Sequence, residues 1–158
     1  MAANLEGADL KAVHLSNTNL EHARLDGANM EKAFFISANL QDAIMPDTNL
    51  ERAHLRHTDL KGAVLSNARL QSAALYKAIL QNANLKDANL QGADLQNVHL
   101  EGANLDGANL EDANLRGVNL QGASLRKTNL RGARVSAEQL ATVKFLDDVT
   151  IRNGTNPH

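Results

Sequence analysis

The sequence predicts an all-β solenoid, a chain wound into short coils stacked along one axis. Three observations predict it. Leucine recurs at every fifth residue: of the 28 positions from Leu5 to Leu140, 24 are Leu, the others being Met30, Phe35, Met45 and Val135. Two residues before each stands a small side chain, Ala at 20 of the 27 positions from Ala3 to Ala133 and Val or Thr at the rest. Aromatic residues make up 3% of the chain, with no tryptophan, so an irregular core filled by large rings is not available. Internal repetition is therefore the first thing to read.

A period of five fits neither regular element. On an α-helix these leucines would wind around all sides, because 3.6 residues per turn does not divide five. On a flat strand successive leucines would point to opposite faces. An inward column of leucines needs a turn after every short extended piece, and a solenoid supplies that. Gly7, Gly27, Gly62 and Gly92 fall at the last position of the pentamer, where a corner requires permissive dihedrals. Asn29, Asn49, Asn89 and Asn109, each preceding a leucine or methionine, are expected to stack coil on coil and to hydrogen-bond at the corners.

The motif Ala-(Asn/Asp)-Leu-x-x, as in Ala88-Asn89-Leu90 and Ala103-Asn104-Leu105, runs in register over roughly residues 3–135. It resembles the pentapeptide-repeat family. The resemblance implies a right-handed quadrilateral β-helix, four pentapeptides and twenty residues per coil, with Leu and Ala inward and the other three positions outward. The sequence carries an independent hint of that coil. Sorted by twenties, the class of Thr18, Ala38, Thr58, Ala78, Val98 and Val118 holds four of the seven non-Ala small sites. The class running from Ala3 to Ala123 holds none. Coils about 4.8 Å apart would make a rod roughly 30 Å long.

The repeat fails after Ala133-Arg134-Val135, so the solenoid is assigned to residues 1–135 and a C-terminal capping helix with its tail to 136–158. Ser136 and Gln139 fit a capping box. Leu140, Val143 and Leu146, with Phe145 nearby, are spaced for one face of a short amphipathic helix over 137–146. Such a helix would fold across the last coil, as the tails of similar proteins do; the alternative is a dimer interface. Val149-Thr150-Ile151 is read as a small strand, Asn153-Gly154 as a turn, and Thr155 to His158 as a frayed end. At the other end the repeat begins at Ala3, so the first coil is either exposed or preceded by more chain.

Composition narrows the chemistry. The formal charge is −2, from 16 basic and 18 acidic side chains, which gives no basic excess for phosphate binding. There is no cysteine, hence no disulfide framework or thiolate site. No signal-like or membrane-spanning run occurs, and a cytoplasmic location without membrane association is expected. His14, His22, His54, His57 and His99 all take outward positions, with His158 in the tail. His54 and His57 share a face and could meet a divalent metal, but no third or fourth ligand accompanies them. Ser16 and Ser66 have no base or glycine elbow, and no carboxylate pair is set in an apolar pocket. A leucine-filled solenoid also lacks a deep cavity. The chain is read as no enzyme, with no cofactor and no metal.

Departures from the repeat cluster between residues 31 and 80. With a twenty-residue coil, Phe34 stacks between His14 and His54, and Arg56 lies between Ile36 and Tyr76. Arg56 is expected to lie against the Tyr76 ring. Phe34, Ile36, His54, Arg56 and Tyr76 are the candidate partner-binding residues, because contiguous apolar area with Arg and Tyr marks interfaces. Ile44, Pro46, Val64 and Ile79 break the pattern on neighbouring faces. The Tyr76 face carries Arg56, Lys77, Arg116 and Arg134 against Asp94, a net of +3. The face after it carries Glu21, Asp42, Asp59 and Glu101 against Lys61, a net of −3. The function expected is a protein-interaction or scaffold module, a monomer or a dimer through an end cap, with a protein partner and no direct nucleic-acid binding. The alternative that the resemblance implies is a DNA-mimicking topoisomerase (gyrase) inhibitor, whose strongly negative surface these sums do not reproduce.

Overall fold

A computed structural model of the chain describes residues 2–151. Each residue of the leucine column opens a tight turn. Ala88 N–H donates to Leu85 O at 3.0 Å, and Asp87, third in that turn, has φ +57°. A single positive φ at the third residue marks a type II turn. The same corner recurs every five residues from Gly7 to Gly132, with φ between +52° and +73°. Many of the corners without glycine hold Asn or Asp, the side chains that best tolerate this region. Where Asn precedes the leucine it adds a second lock: Asn89 Oδ1 accepts from Gln91 N–H at 3.1 Å, and Asn109 Oδ1 from Glu111 N–H at 3.1 Å.

Coil length follows from the pairing. Asn4 bridges Arg24 in parallel, and the offset of twenty holds through Asn114 and Arg134. Between neighbouring coils, Leu90 N–H donates to Asn109 O at 2.7 Å and Asn109 N–H to Ala88 O at 2.9 Å. Four pentamers thus close one coil, and the solenoid has four faces. Face one carries Arg24 and Ile44, face two Asn29 and Asn49, face three Phe34 and His54, and face four Asn39 and Asp59.

Leucine and alanine fill the interior as the period requires, from Ala23 and Leu25 to Leu130, with Phe35 and both core methionines completely buried. Buried threonines replace alanine only where their hydroxyls find a carbonyl: Thr58 Oγ1 reaches Phe35 O at 2.7 Å and Thr128 Oγ1 reaches Leu105 O at 2.9 Å. Leu5, Leu10 and Leu15 of the first coil are only partly buried.

The C-terminal segment departs from the helix expected over 137–146. Helix α1 spans only Ala137–Leu140, with the predicted capping box of Ser136 and Gln139 in place. It does not lie across the end of the core; it stands in for the fourth side of the last coil. In a regular coil the backbone N–H at 139 would reach Val118 O, as Asn119 N–H reaches Val98 O. In α1 that N–H is taken by Ser136 Oγ, and the Gln139 side chain replaces it, donating to Val118 O at 2.9 Å and Leu115 O at 2.8 Å. The chain then re-enters the ladder with one extra residue. Lys144 N–H donates to Ala123 O and Phe145 O accepts from Leu125 N–H, so two residues oppose Ser124 in a bulge. Thr150 bridges Asn129, so the strand expected at 149–151 forms as one bridge. A longer helix would leave Ala123 O, Leu125 N and Leu130 N without partners, and the ladder wins over the local apolar spacing. Leu146 and Ile151 therefore take leucine-column positions, and Phe145 faces outward under the Arg126 guanidinium, 3.7 Å from its ring centre. The turn expected at Asn153-Gly154 and the end from Thr155 to His158 lie outside the described residues.

Candidate functional site

Face three collects the side chains that depart most from the repeat. The ladder His14–Phe34–His54 is a run of parallel bridges, and it sets three aromatic rings at strand spacing. The His14 and Phe34 ring centres lie 4.3 Å apart, and those of Phe34 and His54 4.5 Å, with 3° between planes in both pairs. Phe34 is half-buried by this sandwich. The expected stack is the one observed.

The neighbouring column holds Ile36, Arg56 and Tyr76, two residues farther along the same pentamers. Ile36 is 37% exposed. Tyr76 is half-buried, but Arg56 does not lie on its ring as expected. His57, turned at a left-handed corner of φ +57°, meets the Tyr76 ring edge-on at 5.8 Å and 86°. Lys77 Nζ covers it at 5.3 Å. With the ring occupied by these two, the Arg56 side chain stays exposed. His14, His57 and Lys77 thus join a site that the sequence reading had confined to Phe34, Ile36, His54, Arg56 and Tyr76. The coil period places all three, since each sits one coil away from, or one residue beyond, a predicted member.

Charge on this face is left unspent. On faces one and two several cations are paired across coils: Lys11 with Glu31 at 2.7 Å, Arg24 with Glu6 at 3.0 Å, Arg69 with Glu51 at 3.1 Å and Arg126 with Asp147 at 3.2 Å, while Lys61 on face four, Lys86 and Arg131 form no ion pair among the described residues. Among the described residues Arg56, Lys77, Arg116 and Arg134 form no ion pair. Asp94, the acid among them, is engaged by Gln96 N–H and Asn114 Nδ2, each at 3.2 Å. Toward the C-terminal end of the face an open depression of about 530 Å³ is lined by Arg116, Gly117, Arg134, Val135, Ser136 and Gln139. It arises where α1 replaces the regular fourth side, which a five-residue period cannot foretell.

Other apolar departures fall elsewhere, the exposed Ile44 on face one and the half-buried Ile79 on face four. His54 and His57 are drawn into separate ring contacts. Among the described residues no three His, Cys, Asp or Glu side chains gather for a metal, and no helix is long and apolar enough to cross a membrane.

A family model for pentapeptide repeats matches in eight copies over residues 3–42 and 93–132, and one for a pentapeptide repeat region matches residues 28–110. The stretch between the two blocks contains His54, Arg56, His57 and Tyr76. No curated protein matches the chain. Among solved structures, a pentapeptide repeat protein from Nostoc Pcc 7120 is 33% identical, with 68% of this chain and 84% of that one covered and a TM-score of 0.54. A pentapeptide repeat protein of the Arabidopsis thaliana thylakoid lumen is 30% identical, with a TM-score of 0.51; the match covers 60% of this chain and 62% of that one.

Proposed function

Because the chain belongs to the pentapeptide-repeat family, we propose that it is a non-catalytic protein-interaction module whose contact surface is face three. The observation that carries this reading is the ring column His14–Phe34–His54 beside Ile36 and Tyr76, on a face whose cations are unpaired. Burying a side chain such as Phe34 or Ile36 in an interface is favourable by about 1.5–3 kcal/mol each. The rings are already ordered by stacking, so little side-chain entropy is lost when a partner settles on them. Arg56 is free to present its planar donor array, the feature that makes arginine frequent at interface hot spots.

The reading carries with it the right-handed winding of the family, a protein partner, and work in the cytoplasm without cofactor. A DNA-mimicking inhibitor would need a line of negative charge along the rod; a face with a net of +3 opposes it.

The test is a quantitative pull-down from the native host's lysate with the parent and the variant F34Q/I36E/Y76Q. These changes restore polar side chains at outward positions and leave the leucine column untouched. The reading expects an unchanged melting temperature and loss of the partners recovered by the parent. Equal recovery by both proteins would refute face three as the contact surface.

A further inference from the structure

We infer that the partner of face three is an extended acidic segment of another protein, lying along the solenoid axis. Its carboxylates sit over Arg116 and Arg134, and an apolar side chain sits over Phe34, Ile36 and Tyr76. This rests on the assignment of face three as the contact surface and adds the chemistry of what it contacts.

The charge argument comes first. Four cations on faces one and two are matched by acids one coil away, with N–O distances of 2.7–3.2 Å. Arg116 and Arg134 have no such match among the described residues, yet they border one open depression. Guanidinium groups pair with carboxylates through two parallel hydrogen bonds, so two of them in one depression suit two nearby acids. The Gln139 amide in its wall is already committed, Oε1 to Ser136 N–H and Nε2 to Leu115 O and Val118 O. The guanidinium groups are thus the charged groups of that wall free to receive an anion. Face four, next around the rod, carries Glu21, Asp42, Asp59 and Glu101 against Lys61. It repels an acidic segment and so confines it to face three.

Shape points to a strand-like occupant. The apolar column and the arginine depression lie on one line, separated along the axis by Asp94 and Gln96. Ile36 and Arg116 are four coils apart, about 19 Å at 4.8 Å per coil, which an extended chain spans in roughly six residues. Tyr76 is two coils from Arg116, about 10 Å or three residues. A segment with an aromatic or aliphatic residue three to six positions from a pair of acids would engage both ends together.

The experiment pans a displayed library of random twelve-residue peptides on the full chain and synthesises the enriched sequence. Binding of that peptide is then measured by fluorescence anisotropy to the parent, to R116E/R134E and to F34Q/I36E/Y76Q, with melting temperatures as folding controls. A twelve-nucleotide single strand serves as competitor. The expected result is a consensus with two Asp or Glu three to six residues from an apolar residue. Its affinity should fall about tenfold or more in R116E/R134E and weaken with salt. No enrichment, a consensus without acids, undiminished binding to R116E/R134E, or tighter binding of the oligonucleotide would each overturn the inference. Binding that is lost in F34Q/I36E/Y76Q but indifferent to R116E/R134E would keep face three and remove the acidic partner. Binding indifferent to both variants would remove face three as well.

Discussion

Asp87 lies one coil before Gly107, and its Oδ1 occupies the place that a Cβ at 107 would take. The same relation joins Asp42 to Gly62, Asn82 to Gly102, Asn97 to Gly117 and Asp112 to Gly132. In these five pairs the corner Asn or Asp leans over the next coil, where glycine stands twenty positions on. At these five corners glycine answers two demands, a positive φ and an occupied space.

Gly107 and Gly122 separate those demands, because their φ values are +73° and +71° but nothing lies within 4 Å of a Cβ at 122. Gly122→Ala should cost about 1 kcal/mol, the left-handed backbone alone. Gly107→Ala should cost about 1–2 kcal/mol more, and Asp87→Gly in the same chain should recover that excess. Urea unfolding of the four proteins checks this, and equal costs at 107 and 122 would contradict it.

Gln139 is predicted to be the residue that ties α1 to the solenoid. Gln139→Ala removes the reciprocal cap on Ser136 N–H and leaves Leu115 O and Val118 O with fewer partners. A loss of about 1–3 kcal/mol is expected, with faster amide exchange in residues 137–151 than in residues 60–100. A uniform change in exchange along the chain would argue against a local tie.

Much of this was legible in the sequence, and the failures share one cause. The leucine column, the twenty-residue coil, the glycine corners and the Phe34 sandwich follow from a strict period, which turns sequence distance into spatial adjacency, and the capping box follows from the local spacing of Ser136 and Gln139. The end of α1 did not follow. Leu140, Val143 and Leu146 have helical spacing, but unpaired backbone groups of Ala123, Leu125 and Leu130 compete for the same segment, and that competition is long-range. The partner of the Tyr76 ring was also misread. The period fixes which residues are neighbours, whereas side-chain torsions decide that His57 and Lys77, and not Arg56, reach the ring.

The Lys11–Glu31 pair predicts a specific acid titration. Hydrogen bonds from Lys11 and then Lys32 hold the Glu31 carboxyl below its usual range, and the bond with Glu31 raises Lys11. A carboxylate with a depressed folded value contributes stability above its unfolded pKa and loses it as pH falls through the folded one. For Lys11 the contribution is complete below the unfolded lysine pKa and is lost as pH rises through the raised value. Carbon-detected NMR should show Glu31 titrating below the usual glutamate range, and Lys11→Met should move it back upward. No movement in that variant would assign the shift elsewhere.

Near-neutral charge with a positive face three predicts no inhibition of gyrase supercoiling at low micromolar concentration. Potent inhibition that disappears when Glu21, Asp42, Asp59 and Glu101 are neutralised together would favour the DNA-mimicking alternative.

The claim that face three is where a partner sits is tested most directly by site-specific photocrosslinking. A benzophenone amino acid is placed at Tyr76 on face three or at Lys86, an exposed corner of face one on the opposite side of the rod. After irradiation in the native host, the account predicts a discrete crosslinked protein band from position 76 and none from position 86. Bands from position 86 with none from 76 would contradict it.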